Sequence, residues 1–424
     1  MARLRTLPNG IRIVSEPMKS VRSCGIGIWI DVGSRHESED DGGLSHFVEH
    51  MLFKGTRRLT TKQIADVTNE LGGNINAFTT QEQLVLHART IDVKAPRALD
   101  LLGEMLIESV FPDDELARER QVILEECKMY EDSPEELSVD VFMRNLWPDH
   151  PLGRPVIGRR STIRRFNAPY MREFWRHELQ PKRILIAIAG AFSKDDVEEV
   201  VRRRFAPLRE SSHGHRPAQP STSGLERRQS CLKRTIEQTH FCLGTNAPRR
   251  RDPERYAFGL LNMILGGGVS SRLFQEVREK RGLAYSIGSF TEYFTDAGSF
   301  GIDGATSPSQ LGEVLRITLD EIERICEERV SDRELELARS QVIDGLLIGL
   351  ENTESRMMRN AESILTFGRV LPVDEVIGRV EAVDASDVQS VARRYLRSGA
   401  LAVSCVGPTR PTLPEPVVRW PGRL

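Results

Sequence analysis

Gly42-Gly43-Leu44-Ser45-His46-Phe47-Val48-Glu49-His50-Met51-Leu52-Phe53-Lys54-Gly55-Thr56 is the stretch that decides how this chain is read. His46 and His50 fall one turn apart on the same face of a helix, where both imidazoles can reach a single metal ion. Glu49 shares that face and adjoins the second histidine. Zinc held by a few nitrogen and oxygen ligands keeps a position open for water, and a nearby carboxylate can take that water's proton. The order His-x-x-Glu-His is the reverse of the commoner zinc-hydrolase arrangement. The plainer alternative is an amphipathic helix with two histidines at its edge.

Histidines spaced this way supply only two ligands, so a third must come from elsewhere. Residues 113–132 offer one. Leu116, Val122, Ile123, Met129 and Tyr130 fit a helical period, and Asp113, Asp114 and Glu115 suit the start of a helix. Glu119 and Glu126 are two turns apart on one face, so one can ligate while the other orients a ligand from behind. Spacing alone does not choose between Glu125 and Glu126, and a solvated acidic face is the ordinary fate of such a helix.

His46, Glu49 and His50, followed after 75 residues by Glu126, resemble the pitrilysin (M16) metallopeptidases, which include the mitochondrial processing peptidases and insulin-degrading enzyme. The resemblance extends to Phe53-Lys54-Gly55-Thr56, to Gly72-Gly73 with Asn76-Ala77-Phe78-Thr79, and to Gly153-Arg154-Pro155-Val156-Ile157-Gly158. It covers nearly the whole chain, and the size is closest to the short bacterial processing-peptidase-like branch. It implies that Glu126 is the third zinc ligand and Glu119 its upstream partner. It also implies one Zn2+ per chain and Glu49 as general base.

The chain has 424 residues, enough for two domains of about 200 residues, each with its own core. A formal net charge of −2 argues against general binding to nucleic acid or anionic membranes. Arg202-Arg203-Arg204 and Arg249-Arg250-Arg251 are expected to be solvated faces or loop ends. The first residues run straight into a Pro8-Asn9-Gly10 turn, so no leader is expected, and no apolar run approaches a membrane span. The six cysteines form no CxxC pair and read as reduced thiols of a cytoplasmic protein. Cys127 follows the ligand candidate but turns about 100° away on the helix, into packing.

Residues 210–225 lack hydrophobic periodicity and read as a linker between a catalytic domain, 1–209, and a degenerate repeat, 226–424. His213 and His215 inside it are linker residues on this reading. Residues 23–30 have a strand-like counterpart at 239–245, and the Gln-Val-Ile at 121–123 recurs at 341–343. That alignment sets Leu346 opposite Glu126 and Arg339 opposite Glu119, and the second half has no His-x-x-Glu-His. Only the first copy can hold metal. The expected fold class is α+β: two similar domains, each a mainly antiparallel sheet covered by helices, here expected on one side.

Leu265-Gly266-Gly267-Gly268 enters a helix but lacks the Gly-Lys-Ser/Thr of a phosphate loop, so nucleotide binding is set aside. Arg278 and Tyr285 match an arginine and a tyrosine, seven apart, that the resembling family uses to contact substrate carbonyls and stabilise negative charge. Arg281 has the wrong offset and is expected at the surface. Asn76 and Ala77 match the family's edge strand, where a peptide is added as an extra strand. The resemblance therefore implies a zinc endopeptidase acting on peptides or unfolded segments. It also implies a homodimeric chamber, or one shared with a paralogous chain, in which Arg278 and Tyr285 serve the partner's zinc. The rival expectation is a non-catalytic structural or substrate-binding subunit, which usually lacks part of the metal set.

Overall fold

The computed structural model describes residues 2–210, 229–397 and 401–408. Apart from Glu210, the linker at 210–225 lies outside the described residues, and so do His213 and His215. The chain forms two compact units, and neither is continuous. Unit one comprises residues 1–127, 154–219 and 347–371, and unit two comprises 128–153, 220–346 and 372–424. A single cut near 210 therefore leaves two helical segments, 128–153 and 347–371, on the wrong side.

Unit one holds β1 (Arg3–Thr6), β2 (Arg12–Pro17), β3 (Ser23–Ile30), β4 (Asn74–Thr79), β5 (Leu84–Ile91) and β6 (Ile184–Gly190) in the order β1-β2-β6-β3-β5-β4. All neighbours are antiparallel except β2 and β6. Unit two holds β7 (Gln229–Lys233), β8 (Thr239–Asn246), β9 (Ala284–Tyr293), β10 (Gly298–Thr306) and β11 (Ala402–Gly407), ordered β7-β11-β8-β10-β9. Its one parallel pair is β7 with β11. Mapping β2, β6, β3, β5 and β4 onto β7, β11, β8, β10 and β9 reproduces order and direction throughout. The duplication expected from residues 23–30 and 239–245 is thus β3 matched to β8.

Both sheets are covered on both faces, which corrects the one-sided expectation. In β6 every residue is buried: Ile184, Ile186 and Ile188 enter the main core, while Leu185, Ala187 and Ala189 enter a second cluster behind the sheet. The helix Thr353–Phe367 closes that rear cluster with Met357, Ala361 and Ile364 against Trp29, Val85 and Leu185. Behind the other sheet, the helix Pro134–Leu146 brings Phe142, Met143 and Leu146 against Cys242, Phe294 and Ala402. Asn145 also donates to the Val403 carbonyl at 2.7 Å. Each fully buried apolar side chain contributes about 1.5–3 kcal/mol, so several on one helix make it integral to its unit. Each rear helix follows, in the chain, the long helix of the opposite half, and no local pattern announces that exchange.

β4 stands at the edge of its sheet, paired on one side only, with β5. Among the described residues, no helix is long and apolar enough to cross a membrane.

Candidate metal centre

The helix Leu44–Leu52 begins where Gly43 takes φ +92°, a backbone that a side chain would strain. Glu37 caps this start: its carboxylate accepts from Gly43 N–H at 2.8 Å and Ser45 N–H at 2.6 Å. Burial pushes the Glu37 carboxyl up to about 7, and those same hydrogen bonds oppose the rise. Leu44, Phe47, Val48, Met51 and Leu52 anchor the helix in the core. His46, Glu49 and His50 are left half-buried on the other face.

The long helix Asp113–Asp132 brings Glu126 to that face. One Glu126 oxygen lies 4.0 Å from His46 Nε2 and 3.6 Å from His50 Nε2, and the three ligand atoms fall within 4.8 Å of one another. Glu125 points to solvent, which resolves the choice that spacing left open. Leu116, Ile123, Leu124 and Cys127 bury the helix, as expected for Cys127. Val122, Met129 and Tyr130 do not: they are exposed, Met129 by 71%. Val122 and Ile123 are adjacent and cannot share a face, and the core took Ile123, so the apolar period of this segment overstated its buried stripe.

The donor set suits zinc. Tetrahedral bonds of about 2.0–2.1 Å hold ligand atoms roughly 3.3 Å apart, close to the spacing between His50 and Glu126 and wider than a hydrogen bond. Burial, and then the neighbouring His50, pull His46 down to about 3, so its imidazole is neutral and its lone pair available at neutral pH. His46 Nδ1 is buried with no hydrogen-bond partner. His50 differs: Glu119 Oε2 lies 3.1 Å from its Nδ1, where a carboxylate can accept from an Nδ1–H, and Nε2 lies toward Glu126. Glu119 is itself buried. Among the described residues, His46, His50 and Glu126 are the cluster able to hold a metal.

Glu49 receives a 2.6 Å hydrogen bond from Thr79 Oγ1 at the end of β4. Burial raises its carboxyl, the Thr79 bond and His50 pull it back, and Glu126 adds to the rise. In β4, Asn76 is exposed and Ala77 buried, and Ala77 N–H is held by Asn76 Oδ1 at 2.9 Å. Arg278 and Tyr285 belong to unit two. The Arg278 guanidinium sits 4.9 Å from the Tyr285 ring and 4.7 Å from the Phe274 ring, and Tyr285 is 78% exposed. Arg281 is tied to Glu276 at the surface.

Residues 12–160 match the profile "Insulinase (Peptidase family M16)", and residues 165–342 match "Peptidase M16 inactive domain". The chain belongs to the M16 peptidase family. An uncharacterized zinc protease of Streptomyces coelicolor is 40% identical over 96% of this chain and 90% of its own length. One from Bacillus subtilis is 36% identical over 95% of this chain and 98% of its own. In fold, the chain resembles a protease from Helicobacter pylori (TM-score 0.88, 22% identity, 96% and 99% of the two chains). It also resembles a Pseudomonas fluorescens structure described as a peptidase M16 inactive domain (TM-score 0.86, 21% identity, 98% and 99%). The first M16 profile spans the whole histidine–glutamate cluster, and the second spans Arg278 and Tyr285.

Among the described residues, unit two holds no equivalent cluster. Arg339, aligned with Glu119, donates to the Val383 carbonyl, and Leu346 stands where Glu126 would be. Sequence reading missed Glu37, which caps the helix Leu44–Leu52, and Thr79, which holds the Glu49 carboxylate. Thr79 lay inside a motif already noted, and Glu37 carried no signal, because its role exists only once the chain has turned back on Gly43.

Proposed function

We propose that this M16 chain is a zinc-dependent endopeptidase whose ion is held by His46, His50 and Glu126. The observation that most directly supports this reading is the convergence of those three donors within 4.8 Å beside the carboxylate of Glu49. When bound, zinc supplies a Lewis acid for the scissile carbonyl and for water. Glu49 takes the proton of the attacking water and passes it to the leaving amine, and Thr79 keeps the carboxylate aimed. Glu119 orients His50. The free side of β4 accepts the peptide as an added strand, with Asn76 and Ala77 supplying backbone contacts once Asn76 releases the Ala77 N–H.

Arg278 and Tyr285 supply a cation and a hydroxyl to substrate carbonyls and to the charge that develops on the oxygen. We place them at the zinc site of a second copy of the chain, in a cytoplasmic homodimer that encloses peptides or unfolded segments. The complete ligand set and base disfavour a purely structural subunit.

Metal analysis and peptide cleavage test the assignment together. Purified protein should take up close to one zinc per chain, and Glu49→Gln should keep that zinc while losing cleavage by about 10³-fold or more. Protein that binds no added zinc would remove the metal assignment, and cleavage surviving in Glu49→Gln would remove the base.

A further inference from the structure

Phe53-Lys54-Gly55-Thr56 has no part in the chemistry above, yet its structure is fixed at nearly every atom. Lys54 N–H still bonds the Met51 carbonyl at 3.1 Å, so residue 54 continues the turn that carries His50. Gly55 then adopts φ +126°, and its carbonyl accepts from Val110 N–H at 3.2 Å and Ser109 Oγ at 3.3 Å. Thr56 pairs with Ser109 as an isolated bridge, and its hydroxyl donates to buried Glu104 at 2.8 Å. Thr56 Oγ1 also accepts from Leu59 N–H at 2.9 Å. The backbone on both sides of Lys54 is therefore pinned to the rest of unit one. Its ammonium reaches Glu119 Oε1 at 2.7 Å, while the other Glu119 oxygen is on His50 Nδ1.

These contacts form a ladder between two helices. His46, His50 and Lys54 follow at four-residue steps along one face, and Glu126 and Glu119 stand two turns apart on the other. Glu126 lies between His46 and His50, and Glu119 lies between His50 and Lys54. A carboxylate with only one oxygen engaged can swing about its stem. Glu119 has both engaged. His46, at the other end of the ladder, has no such support on its Nδ1.

We propose that Lys54 is a positioning residue for the metal centre: it clamps one oxygen of Glu119 so that the other stays on His50 Nδ1. His50 is thereby kept as a single tautomer with Nε2 directed at the ligand cluster before any ion arrives. The inference rests on the zinc reading for its consequence, but its structural half concerns the metal-free chain. Lys54→Met keeps the aliphatic stem and removes the clamp. Lys54→Arg keeps a cation in reach.

Histidine-selective 15N labelling of metal-free protein reads the tautomer directly. Wild type and Lys54→Arg should show His50 as the Nδ1–H form, and Lys54→Met should show a mixture. Chelator competition should then find zinc about ten-fold weaker in Lys54→Met, the low end for losing support behind a ligating histidine. The sign is informative, because removing a positive charge would by itself favour a dication. A Lys54→Met chain that keeps the pure tautomer, or binds zinc as tightly as wild type or tighter, overturns the proposal. So does a wild-type His50 protonated on Nε2, whether or not the variant folds. The metal-free melting temperature distinguishes a lost clamp from a lost fold. Wild-type protein without zinc affinity would instead count against the metal reading, leaving the tautomer result to judge Lys54.

Discussion

At the scale of single residues, Glu49, the proposed base, is held by a side chain that arrives from another element. Thr79 donates to it at 2.6 Å from the end of β4. Thr79→Val keeps the shape and removes the donor, so kcat should fall about ten-fold, the size of one hydrogen bond to a charged group. Zinc content should be unchanged and Thr79→Ser should recover most of the rate. A Thr79→Val enzyme with wild-type kcat would show that Glu49 is aimed by something else. His46, Glu49 and His50 were legible because their geometry is set within one helical turn. By spacing alone Glu126 was one of a pair, since spacing cannot tell which of two adjacent carboxylates faces a helix packed elsewhere, and it was the family resemblance that singled it out. Thr79 and Lys54 were hidden because each acts on a partner that only the tertiary fold brings near, and Glu37 because its hydrogen bonds depend on the turn at Gly43.

At the scale of elements, β4 was legible as a short extended segment, and its place at the sheet edge came from the family resemblance, because no local pattern distinguishes an edge strand from a central one. The location of the rear helices was not legible, because each packs on the sheet of the other half. The helix Pro134–Leu146 carries a consequence of that burial. Asp140 is pushed up to about 6, chiefly by burial and in small part by Glu136, with Arg144 opposing. Glu292 of β9 is raised too, by burial and by Asp140 itself. Because the folded value lies above the unfolded one near 3.8, the unfolded chain loses this proton first as pH rises. The Asp140 contribution therefore favours the folded state below about pH 4 and is progressively lost up to about pH 6. Asp140→Asn should flatten that fall. It should raise the unfolding free energy at pH 7 by about 3 kcal/mol at most, read from denaturant titration, while matching wild type near pH 4. An Asn variant no more stable at pH 7 would mean that Arg144 already compensates the charge.

At the scale of the whole molecule, one chain repeats a sheet plan twice and equips the copies differently. The first carries His46, His50 and Glu126, a cluster able to hold a metal, beside Glu49, and the second carries Arg278 and an exposed Tyr285 stacked together. Their division between units makes mixing of chains a decisive test of the homodimer. Glu49→Gln alone should be inactive, and Tyr285→Phe alone should lose about 10²-fold, the scale of one donor to a developing oxyanion. Suppose each zinc site is completed by the partner's tyrosine. A mixed dimer then has one site with both lesions and one with neither, because the Tyr285→Phe chain keeps Glu49 and receives an intact tyrosine from the Glu49→Gln chain. Equal amounts exchanging at random give mixed dimers in half of the pairs, each with one working site of two. The mixture should recover about one quarter of wild-type activity. If each site is built within a single chain, the mixed dimer has no intact site and mixing restores nothing. If Tyr285 is dispensable, Tyr285→Phe alone is already active, so the three arrangements give three separable results.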